Sequence, residues 1–302
     1  MLIVGAASRD HAVDDPRGWR LGGAVTYAAL TLARFGLRVR ALVGVDSLAA
    51  EAGELDLLRA ADAEVVLAPL VRGPVFENIE GVDGRIQRCV SVSDPVPIAA
   101  LPAGWGREPA WLLVPVADEL GPEWAAAAPA GAFVAVGWQG MLRTLVAGEV
   151  VRRRAPTRNK LVARANLIGL SRDDLAPGTS PEDLLQLIDP AAELVVTEGD
   201  GGGRIWAPAP DNRRRRSSRG YRAISSDGVV DPTGAGDVLL AAIAAARLDS
   251  SSPGRPPARG SDIRFAAAAA SLAIERPGLS GVPELAAVLR RMRRRSARSP
   301  SA

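Results

Sequence analysis

The stretch DPTGAGD, residues 231–237, sets two carboxylates around a proline and a run of small residues, then enters the apolar VLLAAIAAARL. Gly234, Ala235 and Gly236 lack bulky side chains, so successive backbone N–H groups can converge at the start of a helix, where the dipole favours an anion. Asp237 follows in the first turn. A carboxylate there could take a proton from an attacking hydroxyl while the backbone donors stabilise charge developing on a transferred phosphoryl group. The same residues could also do no more than cap a buried helix, and local chemistry leaves both readings open. A second pattern lies near the N-terminus, where Gly22-Gly23 precede the helix-like AVTYAALTLARFG (24–36) and Asp10 follows the apolar LIVG (2–5). Paired glycines let a backbone approach a ligand closely or simply turn the chain. An Asp after a first strand lies at the carboxyl edge, where open parallel sheets bind ligands.

Such groups need a scaffold, and the rest of the chain alternates short apolar runs with helical patterns. VRALVGVD (39–46), AWLLVPV (110–116), FVAVG (133–137), NLIGL (166–170) and LVVTEG (194–199) read as strands. Helices are expected over 48–61, 181–188, 237–248, 261–275 and 283–294. This alternation argues for βαβ units and a mainly parallel sheet. Residues 74–92, PVFENIEGVDGRIQRCVSV, break the rhythm: two extended runs meet around Asp83-Gly84, a dipeptide that favours a hairpin turn. A hairpin there is an excursion from the main sheet, a lid if it stands near a site, and its edge could pair with a second copy of the chain.

Of the 302 residues, 47% are apolar and 24% charged, ordinary values for a soluble protein with a sizeable core. The longest apolar run, FAAAAASLAI (265–274), is short of the roughly 20 residues that cross a bilayer, and MLIVGAASRD lacks the pattern of a secretory signal. With a single cysteine, Cys89, no intramolecular disulfide can form, which suits a reducing cytoplasm. The net charge of +3 hides an asymmetry. Residues 207–222 and 290–302 hold twelve of the 37 basic and one of the 34 acidic residues; the remainder carries 25 basic against 33 acidic, a net −8. The body is acidic, and 291–302 reads as a basic, disordered tail. Arg213–Arg219 reads as a solvated loop, since consecutive side chains diverge, although its place near the signature loop would let it reach a phosphate. Nucleic-acid binding through these arginines lacks a fold signature or aromatic ladder to support it. Lys160 is the only lysine, which excludes Schiff-base or Walker-type lysine chemistry elsewhere.

Taken together and in this order, Asp10, GGAVTYAALTLARFG, ALVGVD, FENIEGVDGRIQR, LVVTEGDGGG, VVDPTGAGDVLLAAIAAA and IRFAAAAASLAIERPGLSGVP resemble the ribokinase-like, or PfkB, family of carbohydrate kinases over nearly the whole chain. The wording is nearest the inositol-kinase-like branch and its bacterial relatives. The resemblance implies a three-layer α/β/α sandwich over 1–290 with a small β lid at about 72–95. It also implies phosphoryl transfer from ATP with Mg2+ to a sugar, polyol or nucleoside. On that reading Asp237 is the general base and Gly234, Ala235 and Gly236 form the anion hole. Asp10, Gly22 and Gly23 hold acceptor hydroxyls, with Asn78 in the lid as a further contact, and Thr197 and Gly199 line the nucleotide. Asp231 would shape the loop or help bind a monovalent cation, and His11, beside Asp10, could touch the acceptor. The family often carries an Asn-x-x-Glu motif that organises metal-bound water. If Asn166 aligns with it, Gly169 stands where the Glu would fall, leaving Asp173 or Asp174 as substitutes. Ala267 stands where many members have an Asn near the base, and Pro232 where Thr is commoner. The missing Glu suggests a rival reading, a catalytically silent nucleotide or sugar sensor.

Overall fold

The computed structural model describes residues 1–81, 84–209, 215–248 and 262–296. Its strands are β1 (Leu2–Ala6), β2 (Arg9–His11), β3 (Trp19–Leu21), β4 (Arg40–Val45), β5 (Glu64–Pro69), β6 (Val75–Gly81), β7 (Gly84–Ser91), β8 (Ala110–Leu113), β9 (Phe133–Gly137), β10 (Arg143–Thr144), β11 (Arg152–Arg153), β12 (Leu167–Ser171), β13 (Glu193–Thr197), β14 (Gly203–Pro208) and β15 (Arg216–Tyr221). The helices are α1 (Ala24–Arg34), α2 (Ser47–Ala50), α3 (Leu55–Ala60), α4 (Pro122–Ala127), α5 (Lys160–Arg164), α6 (Pro181–Leu184), α7 (Ala235–Leu248), α8 (Asp262–Ala273) and α9 (Leu285–Ser296).

Nine strands form one sheet in the order β15-β14-β13-β12-β9-β8-β1-β4-β5, parallel from β13 to β5, with β14 and β15 antiparallel additions at one edge. Strand residues alternate between two cores. Ile3 joins the core under α1, α3, α7, α8 and α9, while Leu2 and Val4 join the one under α4, α5 and α6. Two cores on two faces of one sheet make the three-layer sandwich expected from the sequence. Helix α1 buries ten of its eleven residues, so its apolar character on every side reflects packing on every side. The Ala-rich α7 and α8 lie against each other on the same face, their small side chains permitting close approach.

A second sheet, β3-β2-β6-β7, stands apart from the first, and β10 pairs with β11 in a short ribbon. The hairpin excursion is therefore real, and it recruits Asp10 in β2, which pairs with β3 and β6. Asp83 of the expected turn lies outside the described residues. Several expected boundaries shift. The helix expected over 48–61 is broken into α2 and α3 by a turn containing Gly53, and α6 ends at Leu184 rather than 188. Beyond residue 290 the chain is not simply a tail: α9 runs to Ser296, and buried Arg291 donates to Ser225 O, Ser271 Oγ, Asp227 and Glu275. No helix among the described residues is long and apolar enough to cross a membrane.

Candidate functional site

The loop from Asp231 to Asp237 is held from below. One Asp231 oxygen accepts the Thr233 N–H at 2.9 Å and the other accepts the Gly278 N–H at 2.9 Å, so this carboxylate fastens the loop. Gly234 sits at φ 79°, and a Cβ there would overlap the Tyr27 ring. Glycine is required at that point both for the backbone and for the ring beneath it. Gly236 is the opposite case: a Cβ on it would meet nothing within 4 Å, so the first turn of α7 faces open space there. Early N–H groups of a helix have no intrahelical acceptor, which makes this open turn suitable for an anion.

Half-buried Asp237 stands in that first turn. Its carboxyl is pushed up to about 7, first by loss of solvent, then by the negative charge of Asp174 and more weakly Asp10, with Arg143 opposing. A carboxyl poised near neutrality is suited to exchange a proton with a hydroxyl. Tyr27, buried under the loop, has its phenol ionisation suppressed by burial and then by Asp10, Asp231 and Asp237. It stays neutral at the centre of three acids.

Asp10 projects from β2 against Gly22. Ser8 Oγ donates to its Oδ1 at 2.9 Å, and Oδ2 lies where a Cβ of Gly22 would be. Gly23, the N-cap of α1 at φ 94°, packs so closely that a Cβ would lie 2.6 Å from Ala6 O and 2.8 Å from Ser8 N. The Gly-Gly pair thus serves close approach and turn together: the Asp10 carboxylate approaches Gly22, and the Ala6–Ser8 backbone approaches Gly23. In the same sheet, where Phe76 is in register with Asp10, Phe76, Asn78, Gln87 and Cys89 share one face of the β6–β7 hairpin, with Gln87 Nε2 donating to Asn78 Oδ1 at 3.0 Å. The paired Ile79 and Ile86 are on the other face, exposed.

At the carboxyl end of β12, Ser171 and Asp174 form a capping box: Ser171 N–H donates to Asp174 Oδ2 at 2.9 Å. Asp174 is buried and pairs with Arg143 at 3.5 Å. Ser171 is in register with Thr197 on β13, which brings Thr197 and Gly199, at φ 56°, to the same sheet edge. Asn166 and Gly169 do not join them. Asn166 precedes β12, its Oδ1 accepting the Val134 N–H at 2.8 Å, and a Cβ on Gly169 would lie 2.9 Å from Leu240 of α7. A glutamate at 169 would be driven into that helix. The acid reaches the edge instead at Asp174, while Asp173 is exposed and its carbonyl accepts from Arg153.

Other expectations also move. His11 is exposed at the end of β2, and Ala267 is buried in α8. Residues 213 and 214 lie outside the described residues. Arg216 donates to Asp189 O and Ala192 O, beside the amino end of β13 and opposite the edge that carries Thr197. Sequence reasoning missed Tyr27, Ser8, Gln87 and Arg143. The first three lie within a few residues of recognised motifs; Arg143 carries no local signal, because only the β10–β11 ribbon brings it there.

Residues 155–285 match the model of the pfkB family carbohydrate kinases. A search of curated proteins returned no match. Among solved structures, the chain is similar to a pyrophosphate-dependent kinase in the ribokinase family complexed with a pyrophosphate analog and myo-inositol, at 18% identity and TM-score 0.69 over 92% of this chain and 96% of that one. It is similar to the Methanocaldococcus jannaschii nucleoside kinase, at 17% identity and TM-score 0.66 over 97% and 98%. It is also similar to an Arabidopsis thaliana ribokinase complexed with ribose and ATP, at 18% identity and TM-score 0.66 over 96% and 97%. At these identities the likeness establishes the ribokinase-like fold.

Proposed function

From the match of residues 155–285 to the pfkB family carbohydrate kinases, phosphotransferases that act on hydroxyl groups, we propose an ATP-dependent kinase of a small sugar or polyol. The observation that carries this reading is Asp237, held near pKa 7 in the first turn of α7 beside the open backbone of Gly236. In the proposed step a hydroxyl oxygen attacks the γ-phosphorus in line as the bond to ADP breaks. Asp237 accepts the proton, and the Gly234–Gly236 backbone stabilises the transferring group. Asp10 and the Asn78–Gln87 pair face the acceptor as hydroxyl partners, polar groups that reject molecules lacking hydroxyls. Thr197 and Gly199 line the nucleotide.

Mg2+ is usually held by one or two carboxylates together with phosphates and water. Asp174, the buried acid at the carboxyl end of β12, is the side chain that would help hold a metal brought with the donor phosphates. When bound it would neutralise charge on the donor phosphates. The Asp231 carboxylate, engaged with Thr233 and Gly278, is proposed as a loop fastener. Pairing of two copies through the outer face of the small sheet, where Ile79, Ile86 and Val90 are exposed, is the proposed assembly.

The test is acceptor-dependent ADP release with Mg-ATP over a panel of sugars, inositols and nucleosides, with pyrophosphate as an alternative donor. Turnover of one hydroxylated acceptor supports the kinase. ATP binding without turnover of any acceptor would favour the silent sensor.

A further inference from the structure

We propose that Arg291 of α9 is a positioning residue for the loop 231–237, clamping the segment that enters the loop against the end of α8 on which the loop hangs. The inference rests on the kinase reading for its effect on turnover, but its core claim is that one distant side chain sets the order of residues 225–233. Helix α9 carries a run of arginines whose positions are not equivalent. Val288 is fully buried, and Leu285, Leu289 and Met292 pack against the same core. Arg291 lies on that side, about one helical turn after Val288, and is only 8% exposed, whereas Arg290 and Arg293 are exposed.

The buried guanidinium serves two segments at once. Nη1 donates to Ser225 O at 3.1 Å and to Ser271 Oγ at 3.2 Å, and Nη2 donates to Asp227 Oδ2 at 3.2 Å and to Glu275 Oε1 at 2.7 Å. Ser225 and Asp227 belong to the approach to the loop, while Ser271 lies in α8 and Glu275 just beyond it. Glu275 Oε1 also accepts the Asp227 N–H at 2.7 Å, so guanidinium and carboxylate close on the same residue. A planar fork can satisfy several acceptors in fixed directions, which a lysine ammonium on its flexible stem does not reproduce.

From that clamp the order passes along neighbouring bonds into the loop. The Val230 and Asp231 N–H groups both donate to Ile274 O, at 2.8 and 3.2 Å. The Asp231 carboxylate then takes the Gly278 N–H on one oxygen and the Thr233 N–H on the other. The loop is thus hung on residues 271–278 at its entrance and again at its turn, and Arg291 closes the entrance from outside both segments. The backbone donors of Gly234–Gly236 and the Asp237 carboxylate follow directly. Their register matters, because a misplacement of about 1 Å caused far from the reacting atoms can cost roughly 100-fold in rate.

Hydrogen–deuterium exchange followed by mass spectrometry tests the clamp without any substrate. Arg291→Met should speed exchange of the peptide spanning 225–236 by roughly tenfold or more, while β1 and β8 keep their rates. Arg291→Lys, which keeps the charge but not the fork, should fall between. With Mg-ATP and a working acceptor, Arg291→Met should lower kcat by about 10- to 100-fold with acceptor KM little changed. The limb of kcat/KM near 7 should also move to lower pH, because a loosened loop readmits water to Asp237, whose carboxyl is raised first by loss of solvent. Partial unfolding would scale the rate and leave the limb in place. Should Arg291→Met fail to fold, Glu275→Gln, which removes the charged partner at nearly constant shape, carries the same comparison. Unchanged loop exchange, faster exchange spread evenly over the sheet, an unchanged kcat, or a lowered kcat with the limb unmoved would overturn the proposal. Faster loop exchange in the variant of a protein that phosphorylates nothing would keep the clamp and remove the kinase reading instead.

Discussion

The loop 231–237 and the ribbon 143–153 bring opposite charges to one place by different means. In the loop, everything that positions Asp237 lies within a few residues or directly beneath. Asp231 fastens the turn, Gly234 clears Tyr27, and α7 begins at once. The ribbon places Arg143 through strand ends, a two-residue pairing with β11 and backbone bonds to β7, more than fifty residues away along the chain. Local geometry can be read from neighbouring letters, whereas docking depends on partners that are distant in sequence. The carboxylates repeat the contrast: Asp231 and Asp237 bracket one turn, yet the first is committed to two backbone N–H groups and the second is desolvated and raised to about 7.

The comparison breaks first at Asp237. Asp237→Asn should cut acceptor-dependent ADP release by roughly 10²–10⁴-fold while leaving ATP binding nearly intact, as expected for loss of a general base; retained turnover would remove Asp237 from the chemistry. A smaller effect concerns the charge around it. Since Asp237 acts when ionised, kcat/KM should rise with pH through a limb near 7. Asp174→Asn removes a like charge and frees Arg143 toward Asp237, and both changes favour the ionised form, so the limb should move to lower pH. A limb that stays in place would mean the two acids are not coupled. The smallest effect is expected at the small sheet. Asn78→Ala or Gln87→Ala should raise acceptor KM by roughly tenfold, about the worth of a hydrogen bond or two, with little change in kcat. A change confined to kcat would place these side chains elsewhere than on the acceptor.

Much of the site was legible because its chemistry is written in contiguous letters. DPTGAGD announced an open turn ahead of a helix, and Asp10 with Gly22-Gly23 announced a close approach, although not that Gly22 makes room for the Asp10 carboxylate itself. The departure at Asn166 and Gly169 left Asp173 and Asp174 both open as substitutes for a physical reason. Spacing within NLIGLSRDDL does not say where the strand stops, and β12 runs on to Ser171, so the acid emerges at the edge as Asp174. The tail was misread for a related reason: a run of arginines looks solvated until a partner is known, and Arg291 has a buried network awaiting it.

By itself the sequence determined the alternation that builds a parallel sheet, the glycine turn before α7 and the hairpin excursion, because propensity, patterning and backbone freedom act over a few residues. Only the tertiary structure decided that Asp174 and Arg143 meet Asp237, that Tyr27 lies among three acids and that Arg216 turns to the opposite edge. Those outcomes follow from which strand ends share an edge and from how much water the packed layers exclude. Desolvation and charge coupling are properties of assembled neighbours, and no single stretch of the chain contains them.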